Sequence, residues 1–381
     1  MNHSVFLFLL SFIACLGSFA SDINAPSIMA ISDGLATTVD HVQLSMTMFI
    51  FGLAFSQLIY GPLTDSVGRK KPLSVGIIIF IIGSFIASYS HNIVTLVAAR
   101  TIQGMGAGAT ACIWRALFVD RFSQAEIVIY ASYLQLIMLF IIPTGSFLGG
   151  MLDSWFSWRA SFLFMGVYGS CSVLMVQGVS EKPIANPLPI TLTSIISRYK
   201  DIITHPVFIK YMFCAAAGYG AFFSWYIIGP VLTKLSPADF GTINFCISLP
   251  SIFISSQINR RFVKKVGSEI LIRAGFLSLI MGAGVIILSE MMKLPMVLFV
   301  AYFFIMTGVM VALANTFSCA FQPFERTAGS AAGLYGGLQQ LGAVITGAVL
   351  SLMPESSSYP FAITVLIIAI SGLLVLKPTE E

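Results

Sequence analysis

Gly61-Pro62-Leu63-Thr64-Asp65-Ser66-Val67-Gly68-Arg69-Lys70-Lys71-Pro72 is the stretch on which the reading of the fold turns. Gly68 supplies a tight turn, because glycine enters left-handed backbone without steric cost. Asp65 stands where it can cap a helix N-terminus or pair with an arginine. Arg69, Lys70 and Lys71 place three positive charges behind the turn. By spacing alone this is a basic loop between two helices. On either side lie mostly apolar runs, 42–62 and 72–90. Each is about 20 residues long, enough to cross a bilayer core about 30 Å thick. The loop therefore sits at one face of a membrane.

Outward from it the alternation continues to both ends. Charged and turn-rich clusters separate apolar spans at roughly 4–31, 42–62, 72–90, 93–119, 127–152, 159–179, 206–232, 240–259, 270–289, 294–318, 328–352 and 358–376, about twelve in all. The sequence predicts an all-α membrane protein. Of 381 residues 57% are hydrophobic and 9% charged, against about 25% charged in a soluble domain. That excludes a soluble enzyme, a disordered chain and a coiled coil. The formal charge of +4 comes from scattered groups rather than a basic block, so no nucleic-acid partner is expected. The six cysteines show no metal-ligand spacing and read as small packing residues, so no metal and no cofactor is expected. Residues 5–20, followed by Ser21-Asp22, can also be read as a signal peptide with small Ser18 and Ala20. Met1-Asn2-His3 lacks the usual basic start, and the stretch is taken as the first span.

The longest polar connection, about 180–205, carries Glu181, Lys182, Pro183, Arg198, Lys200 and Asp201 and falls between the sixth and seventh spans. It divides the chain into an N-terminal six-helix bundle, 1–180, a cytoplasmic linker, 181–205, and a C-terminal six-helix bundle, 206–381. Two related halves are the layout of a secondary transporter. With both termini in the cytoplasm, fifteen Lys and Arg residues fall on the cytoplasmic side and three opposite, as the positive-inside rule requires.

Ionisable groups within a bilayer are costly and mark function. Three lie deep: Asp22 on the first span, and Arg100 and Arg115 on the fourth. Desolvation favours the neutral acid and a nearby guanidinium favours the anion, so a carboxyl between the two can load and release a proton. Arg100 and Arg115 are fifteen residues apart, about 22 Å along one helix and about 60° apart around it. Asp22 can reach one of them, not both. The bland reading is that such a pair only locks the first helix against the fourth.

The pattern G-x-L-x-D-x-x-G-R-K over 61–70 resembles the signature loop of the major facilitator superfamily. Arg100-Thr101-Ile102-Gln103-Gly104, with Gly106 and Ala107, is similar to the fourth-helix motif of its proton-driven exporters. Ala20 to Pro26, with Asp22 four residues before Pro26, and Ser157-Trp158-Arg159 are similar to drug exporters. Arg115-Ala116 with Asp120, Gly229-Pro230, and Ala328 to Gly333 resemble the bicyclomycin and chloramphenicol resistance (Bcr/CflA) drug:proton antiporter branch. Ser146 is a departure: the fifth-helix antiporter motif carries proline there. That leaves a proton-coupled uptake symporter on the same fold as the rival reading. A degraded copy of the signature loop lies at Asn259 to Gly267.

The resemblance implies two pseudo-symmetric six-helix bundles in a bacterial inner membrane. They would export a small lipophilic molecule or drug against inward proton flow, with the proton gradient as energy source. Asp22, Arg100 and Arg115 would couple the proton. Gly61, Asp65, Gly68 and Arg69 would latch one conformation. Polar and aromatic residues in otherwise apolar spans are the expected cavity wall: Gln135, Trp225, Tyr226, Asn244, Asn315, Tyr335 and Gln339, with Gln340 beside them. Taken singly, each also reads as an interhelical bond or packing ring. One deep acid against two arginines predicts neutral, zwitterionic or anionic substrates, and a monomer is expected. A membrane-embedded enzyme or sensor would need a cluster of catalytic side chains, and none is visible.

Overall fold

Lipid offers backbone amides no partner, so a chain of apolar runs must bond within each run, as a helix does. The computed structural model describes residues 3–122, 143–178, 191–321, 324, 328–353 and 357–376. Among these no strand occurs. The helices are α1 (His3–Asp22), α2 (Ile28–Gly34), α3 (Val39–Val67), α4 (Lys70–Ser88), α5 (Ile93–Arg121), α6 (143–155), α7 (Trp158–Gln177), α8 (Leu192–Ile203), α9 (Pro206–Thr233), α10 (Pro237–Val266), α11 (Ser268–Met292), α12 (Leu298–Phe321), α13 (Ala328–Leu350) and α14 (Tyr359–Val375). Among the described residues, eight segments are long and apolar enough to cross a membrane, and α14 is a shorter apolar helix. The expected span 127–152 lies largely outside the described residues. On α4, Val75, Ile78, Ile82 and Ile86 leave an exposed apolar stripe of helical period, the face a lipid-bathed helix needs.

Two expectations need correction. The first span is not one helix. Val5–Gly34 is broken after Asp22, passes through a 3-10 turn at Ala25–Ser27 and resumes as α2. Pro26, which has no N–H to give, stands in that turn. The loop 61–72 is also mostly helix: α3 runs to Val67 and α4 starts at Lys70, leaving Gly68 and Arg69 between them. Gly68 has φ 96°, a value that favours glycine, and Gly267 between α10 and α11 has φ 82°. The same turn thus occurs once in each half.

The halves repeat further. Gly275 and Gly282 on α11 each follow Gly76 and Gly83 on α4 by 199 residues. A Cβ on Gly76 would collide with Ala109 of α5, and one on Gly275 would stand 2.5 Å from the Gly308 carbonyl of α12. In both halves, small residues let two helix backbones touch at matching positions. In the N-terminal half α3 and α4 pack on α5, α7 on α4, and α1 on α5 and α7. In the C-terminal half α9 meets α12, α13 and α14, while α11 meets α12 and α14. Across the halves, α13 lies along α3, and the 3-10 turn touches α9 and α10. α8 joins them on one side. Pro62 cannot donate to the Leu58 carbonyl, and the Tyr199 hydroxyl of α8 donates to it instead, at 2.9 Å.

Candidate functional site

The break in the first span sets the site. The last carbonyls of a helix have no intrahelical donor. Here they are taken up from other helices: Arg100 Nη1 donates to the Ala20 carbonyl at 3.0 Å, and Ser146 Oγ to the Asp22 carbonyl at 3.3 Å. Asp22 is 2% exposed, and its carboxylate accepts a hydrogen bond from Ser21 Oγ. Glycines on α6 let its backbone lie against the break. A Cβ on Gly145 would stand 3.5 Å from Asp22 Cβ, and one on Gly149 would collide with the Ile23 carbonyl. On its other side α6 meets α10, where a Cβ on Gly241 would collide with the Ser146 carbonyl. The break is therefore enclosed between α6 of one half and α10 of the other.

Arg100 is as deep as the sequence placed it, but its partners are different. It is 1% exposed, and its guanidinium gives one further bond to Gln103 Oε1, at 2.6 Å, rather than to the Asp22 carboxylate. It lies over the Phe49 ring at 4.1 Å and the Phe162 ring at 5.7 Å. Gln103 in turn donates to Ser84 Oγ at 2.8 Å. Arg100 thus ties α1, α4 and α5 together through a carbonyl, an amide and aromatic faces. The backbones of Asp65 and Arg115 lie on α3 and α5, but both side chains, and all of Gln135, lie outside the described residues. In the expected latch, Gly61 borders the α3–α13 crossing, since a Cβ on Gly333 would stand 3.2 Å from its Cα. Arg69 is half-buried at the start of α4, and Lys70 donates to the Gln177 carbonyl at the end of α7, at 2.7 Å.

A cavity of about 220 Å³ lies between the halves beside the break. Ser18 and Ser21 of α1, Gln57 of α3, Trp114 of α5, Tyr219 of α9, and Gln339 and Gln340 of α13 line it, and among the described residues none that lines it is charged. Amides, hydroxyls and an indole offer a solute both donors and acceptors on an otherwise apolar wall. Of the expected wall, Gln339 and Gln340 are here. Trp225, Tyr226, Asn244, Asn315 and Tyr335 hold helices together. Trp225 donates to Asn244 at 2.9 Å and stacks on Tyr302, whose hydroxyl pairs with Ser248 at 2.8 Å and Tyr226 at 3.4 Å. Asn315 bonds Asn259 across α12 and α10 at 2.8 Å, and Tyr335 bonds Thr316 at 3.1 Å.

Sequence reasoning missed Tyr219, which lines the cavity, and Tyr302, whose hydroxyl joins Ser248 and Tyr226. One signal could have found Tyr302: aligning Gly106 with Gly308 sets it at the position of Arg100.

Comparison with known proteins agrees with this architecture. The sequence profile of the Major Facilitator Superfamily matches residues 7–347. A bicyclomycin resistance protein homolog of Haemophilus influenzae is 25% identical over 368 residues, 94% of this chain and 92% of that protein. Multidrug resistance protein D of Escherichia coli is 27% identical over 380 residues, 97% of this chain and 93% of its own length. Among solved structures, the xylose transporter of E. coli, in a partially occluded inward-open conformation, superposes with a TM-score of 0.73 at 13% identity, covering 98% of this chain and 95% of that one. The chain is a multi-pass membrane transporter that belongs to the major facilitator superfamily.

Proposed function

We propose that this transporter exports small, largely lipophilic molecules across a bacterial inner membrane, with inward proton flow as the drive. The observation that carries the reading is Asp22: a buried carboxyl at the break of the first span, beside the cavity between the halves, with the neighbouring Arg100 turned to a backbone carbonyl. A buried carboxylate to which Arg100 does not donate can be neutralised by a proton, and at a break between the halves its charge bears on how they meet. In the cycle, Asp22 takes a proton from outside, and substrate and proton then compete for the inward-facing state. Ser21 links the two, since its hydroxyl bonds Asp22 and it lines the cavity.

The halves 1–180 and 206–381 rock about this interface, with the linker 181–205 and both termini in the cytoplasm and the chain working as a monomer. Arg100 acts as a positioning residue that holds the break, and Arg115 remains a coupling candidate on α5. Gly61, Asp65, Gly68 and Arg69 bias one conformation. The part of the cavity wall among the described residues is uncharged and favours neutral or zwitterionic substrates, in keeping with the resistance names of the two relatives. Intracellular accumulation of chloramphenicol and of other neutral antibiotics, compared between wild-type and deletion strains, tests direction. It rises in the deletion strain for an exporter. A fall for every compound affected would make the protein an uptake symporter.

A further inference from the structure

Along the interface of α6 with the first span, residues one helical turn apart meet successive positions of the break. Gly145 faces Asp22, Gly149 faces the Ile23 carbonyl, and the Asp153 carboxyl lies beside the Ser27 hydroxyl. Asn24 sits within this segment and is 2% exposed, and Ser27 is fully buried. Their polar atoms are unmatched: Asn24 Nδ2 and Oδ1, Ser27 Oγ and Asp153 Oδ2 have no partner in hydrogen-bond geometry. Buried polar groups of a native protein are nearly always bonded, to protein or to water. The mixture identifies the occupant. A cation would leave the Asn24 amide donor unmatched, and an anion would leave its carbonyl and the Asp153 carboxylate unmatched. Water, which both donates and accepts, serves all of them.

Order along the chain adds the direction: Asp153 is half-buried near the end of α6, and from Ser27 beside it the chain runs back through Asn24 to Asp22, the residue before the break. Other charged or titratable groups near Asp22 come from elsewhere: Arg100 of α5 on the Ala20 carbonyl, Tyr219 and Tyr226 of α9, and Tyr302 of α12.

We infer that Asp153, Ser27 and Asn24 line a hydrated proton-entry path from the outer face to Asp22. The inference rests on Asp22 being the coupling group. A hydronium ion gives its proton to the Asp153 carboxylate. The proton passes to a water held by Ser27 and Asn24, and that water delivers a proton to the Asp22 carboxylate, which becomes the neutral acid. Asp153 is thereby restored as the anion for the next proton. Asn24 holds water and transfers nothing itself.

The test needs no substrate. The full chain is reconstituted in proteoliposomes with a buffered interior, and the external medium is acidified rapidly. The infrared C=O stretch of protonated Asp22, assigned by its loss in Asp22→Asn, is followed in time. In Asp153→Asn and Ser27→Ala the band should reach its wild-type amplitude at least tenfold more slowly, the amplitude showing that the variants are folded. Wild-type rates in both variants overturn the path and leave Asp22 as the coupling group. If no band is lost in Asp22→Asn, Asp22 does not take the proton, and both the path and the coupling reading fall.

Discussion

Arg100 Nη1 lies 3.0 Å from the Ala20 carbonyl oxygen, two residues before Asp22, and this bond joins α5 to the broken first span. A carbonyl left without a donor by the break takes one proton of the guanidinium, and Gln103 takes another. Arg100 therefore fixes backbone rather than pairing with the Asp22 carboxylate.

Arg100→Lys should weaken the fold more than the cycle. An ammonium cannot reproduce the planar fork or its stacking on Phe49. The expected loss is about 1–3 kcal/mol, for one buried bond left unmade. Thermal unfolding in detergent should show it, with residual proton-coupled transport in the molecules that stay folded. Unchanged melting with transport abolished would make Arg100 a proton-handling group instead.

Gly149→Val should be worse. Its side chain would enter the Ile23 carbonyl, where backbone meets backbone and neither can give way cheaply. Overpacking of this kind costs about 1–3 kcal/mol or more. Gly284→Val, with nothing within 4 Å of its Cβ, is the control and should melt like the parent. Equal melting of the two variants would mean that α6 does not lie on the break.

Gly68→Ala and Gly267→Ala test the repeated turn. Both φ values favour glycine, and a Cβ on Gly267 meets nothing within 4 Å, so its cost is backbone strain alone, about 1–3 kcal/mol. Reduced thermal stability is expected for each. A neutral Gly267→Ala would show that the two turns are not equivalent.

The spans could be read because hydropathy records how far a segment runs through lipid. Gly68 could be read because a turn needs its φ. The break in 4–31 was harder to see: Asn24 and Pro26 interrupt an otherwise apolar run, and hydropathy averages across them. The cavity wall was harder still. Asn315 and Gln339 look alike in sequence, yet Asn315 bonds Asn259 and Gln339 faces the cavity. The difference lies in which helix packs opposite, and no single span encodes that. Tyr219 reads as a packing ring until α13 is placed beside α9.

The charge of the cavity predicts selectivity. Among the described residues none that lines it carries a carboxylate for a fixed cation, and Asp22 cannot both pair with one and carry the proton. A cation unpaired in a low-dielectric site is strongly disfavoured. Efflux of ethidium should be poor beside that of chloramphenicol in the same cells. Equal or better export of ethidium would mean that Asp22 faces the substrate.

The central claim is that Asp22 exchanges a proton for substrate. Inside-out vesicles, energised so that the lumen is acidic, report this through a fluorescent pH dye as neutral antibiotics are added one at a time. The transporter should carry protons out of the lumen as substrate enters, so the lumen becomes less acidic. Asp22→Asn, present in the membrane at the wild-type level, should give no such change. Luminal alkalinisation that is the same in wild type and Asp22→Asn would contradict the account.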